Sequence, residues 1–303
     1  MSIPPPSTEI IEVSPRDGIQ NEQTLLSLDT KLALITRAIA AGARRLEVTS
    51  FVSPARVPQM ADAAELAARL PQGNARYIGL ALNAKGFQRA LDANLHEVNF
   101  VLVATDTFSL RNQGMTTTDA LALWSGLGQE PKARLTIGAA FGCPFEGEVP
   151  LTKLLHIVEQ AMRTNPPELA IADTIGVATP RDVTERVTAI RREYPQTRIR
   201  LHLHNTRNTG IANAWAGLLA GATAFDASFG GVGGCPFAPK ATGNIATEDL
   251  IYLLHRSGVT TGYDLGASIE TATWLETRLG HTAPGMVMKA GPFPANPAPV
   301  GAR

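Results

Sequence analysis

A chain of 303 residues with 27 Lys and Arg against 27 Asp and Glu carries a formal charge of zero, so no overall field draws it to a nucleic acid. With 44% hydrophobic and 18% charged residues it is neither disordered nor collagenous, and its length suits one α/β barrel. The start MSIPPPSTEI has no secretory or mitochondrial signal, and the longest apolar stretch, AWAGLLAGATAFDASFGG, is broken by glycines and Asp226 before the roughly 18 residues of a membrane span.

In chain order, short β-rich runs alternate with longer helical ones. The predicted strands are EIIEV (9–13), RRLEVTS (44–50), ARYIGLA (75–81), EVNFVLV (97–103), RLTIGAA (134–140), ELAIA (168–172), RIRLHLH (198–204) and TAFDAS (223–228). Between them LDTKLALITRAIAAGA, DAAELAARL, TKLLHIVEQAMRT and TPRDVTERVTAIRREY repeat apolar residues at the helical period. Start signals stand at Asp29 and Thr30, at Thr116 to Asp119, and at Thr179 with Pro180 in the first turn; Gly42 and Gly221 read as stops. Strict alternation of eight such units predicts a closed (β/α)8 TIM barrel over 9–285, with a doubly wound sheet as the alternative. ATEDLIYLLHRSG and LGASIETATWLETRLG predict one helix more than the minimal barrel needs, packed at its edge. Residues 1–8 and the Pro-rich 286–303 read as extended tails.

A barrel of this kind keeps its site at the C-terminal ends of its strands, and the unusual polar residues fall there. His202 and His204, two apart on a strand, share the inner face, with Leu201 and Leu203 on the other. Two imidazoles with the oxygens of Asp17 and Asn244 suit an octahedral divalent ion, Mg²⁺ or Mn²⁺, better than structural zinc; the alternative is a pair of hydrogen-bonded histidines in a polar interior. Arg16 beside Asp17 is placed to stabilise an oxyanion, while a carboxylate there binds metal or takes a proton. Glu47 and Asp173 read as interior carboxylates that touch substrate directly or orient Arg16 and the ligands. Both cysteines stand in Gly-Cys-Pro-Phe. Cys143 reads as packing; Cys235, among Gly230, Gly231, Gly233 and Gly234, reads as a proton donor on a loop made flexible by its glycines. The sparse cysteines fit a reducing cytoplasm.

The strings EVSPRDGIQNE, LEVTSFVSPARVPQM, GCPFEG, DTIGVATP, HLHN and GGVGGCPFAPKATGNIATEDL, in this order over about residues 9–265, resemble the 3-hydroxy-3-methylglutaryl-CoA (HMG-CoA) lyase family of metal-dependent TIM-barrel enzymes. The resemblance implies a retro-Claisen cleavage of an acyl-CoA to acetyl-CoA and a keto acid, and a place in leucine catabolism. It implies that Asp17, His202, His204 and Asn244 ligate the metal, that Arg16 stabilises the enolate, that Glu47 and Asp173 are active-site carboxylates and that Cys235 protonates the enolate. Either Asp17 or His202 takes the hydroxyl proton, and Gln20 and Asn112 line the substrate pocket. One departure stands out: after His204 the chain reads Asn205, Thr206, Arg207, Asn208 where the family usually has Asp-Thr-Tyr-Gly or Asp-Thr-Arg-Gly. Loss of a carboxylate at 205, with Arg207 kept as a substrate contact, suits a related thioester such as citramalyl-CoA. Asparagine at that position also occurs in Claisen-condensing enzymes of the isopropylmalate synthase type, the second reading; a silent metal-binding barrel is the third. Lys85, Arg111 and Lys240 are candidates for the anionic nucleotide, and a homodimer is the expected assembly.

Overall fold

The computed structural model describes residues 3–234 and 243–294. Among them eight parallel strands close into a barrel: β1 (Glu9–Glu12), β2 (Arg45–Ser50), β3 (Arg76–Ala81), β4 (Glu97–Val103), β5 (Ala133–Gly138), β6 (Glu168–Asp173), β7 (Arg198–Leu203) and β8 (Ala224–Ala227). Closure is made by β1, which pairs with β8 along its length and with β2 at Glu12 and Leu46. This is the TIM-barrel fold; a doubly wound sheet would leave two open edges. No helix among the described residues is long and apolar enough to cross a membrane.

Helix ends follow the local signals where a side chain can reach the first turn. Thr116 with Asp119, and Thr179 with Asp182, form reciprocal capping boxes, and Pro180 opens its helix. The first helix, Leu28–Ala40, starts earlier than Asp29 and Thr30 suggest, because the Ser27 hydroxyl accepts from Thr30 N at 3.2 Å and so caps it. The extra helix, Leu265–Leu279, packs on Leu28–Ala40 and Thr247–Arg256 at the barrel's edge. Neither predicted tail is wholly extended and free. Thr260 N donates to Pro6 O at 3.0 Å and Thr8 N to Thr260 O at 3.1 Å, and Val287–Ala290 forms one short helix.

Strand alternation decides which side chains enter the lumen. On β7, Leu201 and Leu203 join the large core between barrel and helices, with Val183, Phe225 and Leu218, while Arg200 and His202 face inward. A smaller cluster of Ile11, Val13, Ile78 and Ala224 fills part of the interior. The rest of the interior is charged or polar, and its arrangement makes the site.

Candidate active site and metal centre

Four strand ends and two loops meet at the barrel mouth. Arg16 and Asp17 ride on a single π-helical turn, Ser14–Gly18, directly after β1. Asn244 lies beside His204 in an antiparallel bridge, which brings the return of the long loop after β8 against the end of β7. One ligand atom each from Asp17, His202 and His204 lies within 4.8 Å of the others. His202 Nε2 is 3.1 Å from His204 Nε2 and 3.8 Å from Asp17 Oδ2, and Asn244 Nδ2 donates to the same Asp17 oxygen at 2.8 Å. All four residues predicted as ligands are therefore brought together.

The electrostatics prepare this group to hold a cation. His202 Nδ1 meets Asp226 Oδ2 at 3.0 Å, which fixes the tautomer and leaves the Nε2 lone pair toward the group. Burial opposes charge on His202, but the bond to Asp226 and the charge of Asp17 outweigh it and raise its pKa. Burial, reinforced by His202, pushes His204 down to about 3, so its imidazole stays neutral. Burial alone would raise Asp17; Arg16 and then the two imidazoles overcome it and hold the carboxyl well below the usual range. Two facing lone pairs 3.1 Å apart repel unless a proton or a cation lies between them, and Asn244 Oδ1 is buried with no hydrogen-bond partner among the described residues. The donor set of two imidazoles, a carboxylate and an amide oxygen fits a divalent metal ion.

Beneath the group lies a relay of buried charges. Arg16 is gripped by Asp17 on one side and Glu47 on the other. Glu47 Oε2 accepts from Asn99 Nδ2 at 2.9 Å, and Asn99 Oδ1 accepts from Thr136 Oγ1 at 2.9 Å. Arg200 Nη2 donates to Asp226 Oδ2 at 2.8 Å and stands 3.7 Å from Glu47 Oε2, closing a ring from Arg16 through Glu47, Arg200 and Asp226 to His202. Sequence reasoning missed Arg200, Asp226, Asn99 and Thr136. Arg200 carried a signal, being two before His202 on the same face; so did Asp226, a lone carboxylate inside an apolar strand.

A cavity of about 870 Å³ opens over this floor. Arg16, Asp17, His202 and Asp226 line it at its floor, Gln20, Arg111 and Asn112 also line it, and Val52, Leu80, Leu82 and Val101 add apolar surface. Gln20 is steadied by Ser50 Oγ, which donates to its Oε1 at 3.0 Å.

Several expectations need correcting. Asp173 is buried but on the face of its strand away from the cavity: it is one residue out of phase with Ala172, which lines the cavity, and its two oxygens accept from Val177 N at 2.9 Å and Ala178 N at 3.0 Å. Burial nonetheless raises its pKa. Arg207 does not line the cavity; Nη1 donates to Ile175 O and Gly176 O at 3.1 and 2.9 Å. Asn205 faces its own loop, where Oδ1 accepts from Gly210 N at 2.9 Å, so the charge argument built on 205 and 207 has no counterpart at the mouth. Lys85 is exposed and outside the cavity wall. Cys143 is packing, its sulfur accepting from Thr105 Oγ1 at 3.0 Å. Cys235 and Lys240 lie outside the described residues. The glycines beside Cys235 serve close approach more than flexibility: a Cβ on Gly233, at φ +124°, would fall 2.5 Å from Asn244 Nδ2, and one on Gly243 1.9 Å from Gly233 O.

The HMGL-like family profile matches residues 7–274. The chain belongs to the HMGL-like family. It is 42% identical to an (R)-citramalyl-CoA lyase of Chloroflexus aurantiacus, over 93% of this chain and 94% of that protein. It is 36% identical to a 3-hydroxy-3-isohexenylglutaryl-CoA/hydroxymethylglutaryl-CoA lyase of Pseudomonas aeruginosa, over 94% and 97%. Among solved structures, an HMG-CoA lyase of A. baumannii in complex with coenzyme A and 3-methylmalate superposes with a TM-score of 0.91 at 37% identity, covering 97% of this chain and 98% of that one.

Proposed function

We propose that this HMGL-like protein is a divalent-metal-dependent carbon–carbon lyase that cleaves a 3-hydroxy-3-methyl or 3-alkyl carboxyacyl-CoA, HMG-CoA or citramalyl-CoA, into acetyl-CoA and a keto acid. One observation carries the reading: the Asp17–His202–His204 group opens through Asp17 and His202 onto the cavity that Arg16 also lines, in a chain whose relatives are acyl-CoA lyases. Asp17, His202, His204 and Asn244 would hold Mg²⁺ or Mn²⁺, whose chemistry is to polarise the hydroxyl and a neighbouring carboxylate of the substrate.

The chain's own residues supply the rest. Either Asp17 or His202, the two members of the group that also line the cavity, is the acceptor for the 3-hydroxyl proton, His202 only while its Nε2 lone pair is not given to the metal. As that proton leaves, a carbonyl forms at C3, the C2–C3 bond breaks, and its electron pair moves onto the acetyl thioester as an enolate. Arg16 is the donor for the enolate oxygen, and Glu47 and Asp17 hold its fork in place before charge develops. The Cys235 thiol then returns a proton to carbon. This role rests on the sequence resemblance, and the described ends of its loop support it: Gly234 O accepts from Asn21 Nδ2 at 2.7 Å, and Gly233 abuts Asn244.

The test is acetyl-CoA release from HMG-CoA and citramalyl-CoA, in parallel, by metal-stripped protein with Mg²⁺ or Mn²⁺ restored and His202→Ala as the blank. Release that returns with the metal from either thioester is expected, and the ratio of the two rates assigns the acyl group. A folded, metal-binding protein that cleaves neither would overturn the reading.

A further inference from the structure

Glu12 occupies a position where this fold ordinarily buries an apolar side chain. Ile11 and Val13 face the lumen with Ile78 and Ala224, and Ile10 belongs to the helix-facing core, so alternation places Glu12 outside with Ile10. It is fully buried there, away from the metal group. Its Oε1 accepts from Ser14 N at 2.9 Å and from Phe229 N at 3.2 Å, and its Oε2 accepts from Thr247 Oγ1 at 2.8 Å.

Each of these donors opens a segment of the site. Ser14 begins the turn that carries Arg16 and Asp17; Phe229 begins the glycine run leading to Cys235; Thr247 begins the helix that follows Asn244. Main-chain bonds already join the second and third segments, through Ser228 N to Ile245 O at 3.1 Å and Thr247 N to Ser228 O at 3.0 Å. Glu12 adds the first segment to that pair at its root. The turn and the loop are in close contact there, since a Cβ on Gly18 would lie 2.6 Å from Ser228 Oγ.

We propose that Glu12 is a positioning residue that holds the Arg16–Asp17 turn, the start of the cysteine loop and the Asn244 segment in one register through three hydrogen bonds. The role is hydrogen bonding at the root of the three segments. Burial pushes the Glu12 pKa up to about 7 against the hydrogen bonds, which favour the ionised form, and as the neutral acid its Oε2 hydroxyl donates to Thr247 Oγ1. Glutamine can serve equally: its carbonyl oxygen accepts from both main-chain donors, and its amide donates to the Thr247 hydroxyl, which rotates to accept. The effect on turnover rests on the lyase reading; the effect on the backbone does not.

The experiment compares Glu12→Met, Glu12→Gln and Thr247→Val by deuterium uptake and by steady-state kinetics. In Glu12→Met, exchange should rise in residues 13–18 and 229–234 while 97–103 stays protected, and kcat should fall about tenfold to a hundredfold with KM within about threefold. Glu12→Gln should match the parent in exchange and stay within about threefold in kcat, and Thr247→Val should show a smaller form of the Met effect. Three outcomes overturn the proposal: Gln as impaired as Met, Met unchanged in exchange and kcat, or exchange rising throughout the barrel. If Glu12→Met does not fold, the Gln and Thr247→Val variants decide by the same criteria. If the unaltered protein cleaves neither thioester, the lyase reading fails while the exchange comparison still decides the tie.

Discussion

At the N-terminal end of the lumen, Arg45 donates to both oxygens of Glu168 at 2.7 and 2.8 Å and to Glu97, Arg134 meets Glu97 at 3.0 Å, and Arg198 meets Glu9 at 2.6 Å. At the C-terminal end, Asp17, His202, His204 and Asn244 stand equally close, yet His204 Nδ1 and Asn244 Oδ1 are buried with no partner among the described residues. Both ends are charged and buried. The first is saturated, each acid met by arginine forks, and so reads as structure. The second gathers two imidazoles, a carboxylate and an amide beside a cavity with ligand atoms to spare, and so reads as a site. Unsatisfied buried polar atoms separate the two where charge count does not.

The contrast can be broken most directly at its reactive end. Replacing His204 with Ala should abolish tight Mn²⁺ binding, read by calorimetry, and lower kcat by about a thousandfold or more, since the ion and its Lewis acidity are lost together. Arg16→Met should leave metal binding largely intact and lower kcat by roughly a hundredfold to a thousandfold, the usual loss for one oxyanion donor. At the saturated end the opposite pattern is expected. Arg45→Met leaves Glu97 with Arg134 and Arg76 but strands Glu168, whose remaining arginine, Arg200, stands 3.9 Å away, and should cost about 3–5 kcal/mol of stability in denaturant, with the kcat of the folded fraction unchanged. Loss of activity without loss of stability in Arg45→Met would erase the distinction. A pH-dependent effect of up to comparable size concerns Glu248, which burial raises from 4.5 to about 8. Its contribution to stability is complete below pH 4.5 and is lost as pH rises toward 8, at up to about 1.4 kcal/mol per pH unit. Thermal melts at pH 5 and 8 should therefore diverge in the parent and diverge less in Glu248→Gln, the remainder coming from Glu12, whose pKa is raised over the same window.

The strands were legible because each is a short, local pattern, and the observed bounds depart from the expected ones by two residues at most, at the end of β5. The metal group was legible for the same reason, since His202 and His204 declare a shared face by spacing alone. Asp173 misled because its phase on β6 was read from proximity to the strand end and not from parity with Ala172. Arg207 and Asn205 misled because a polar side chain in a loop has main-chain groups within reach, and both spend their hydrogen bonds there.

The amino-acid sequence by itself determined the repeating units, the strand faces, the helix start signals and the shared face of His202 and His204, all of which depend on neighbours a few positions apart. Only the tertiary structure decided which charges meet. Asp226 finds His202 because β8 lies beside β7 with those two residues in register. Arg200 reaches Glu47 across the lumen, and Glu12 gathers donors 217 and 235 residues away. Such pairings follow from barrel closure and stagger, which set distances between residues far apart in the chain and leave no trace in local spacing.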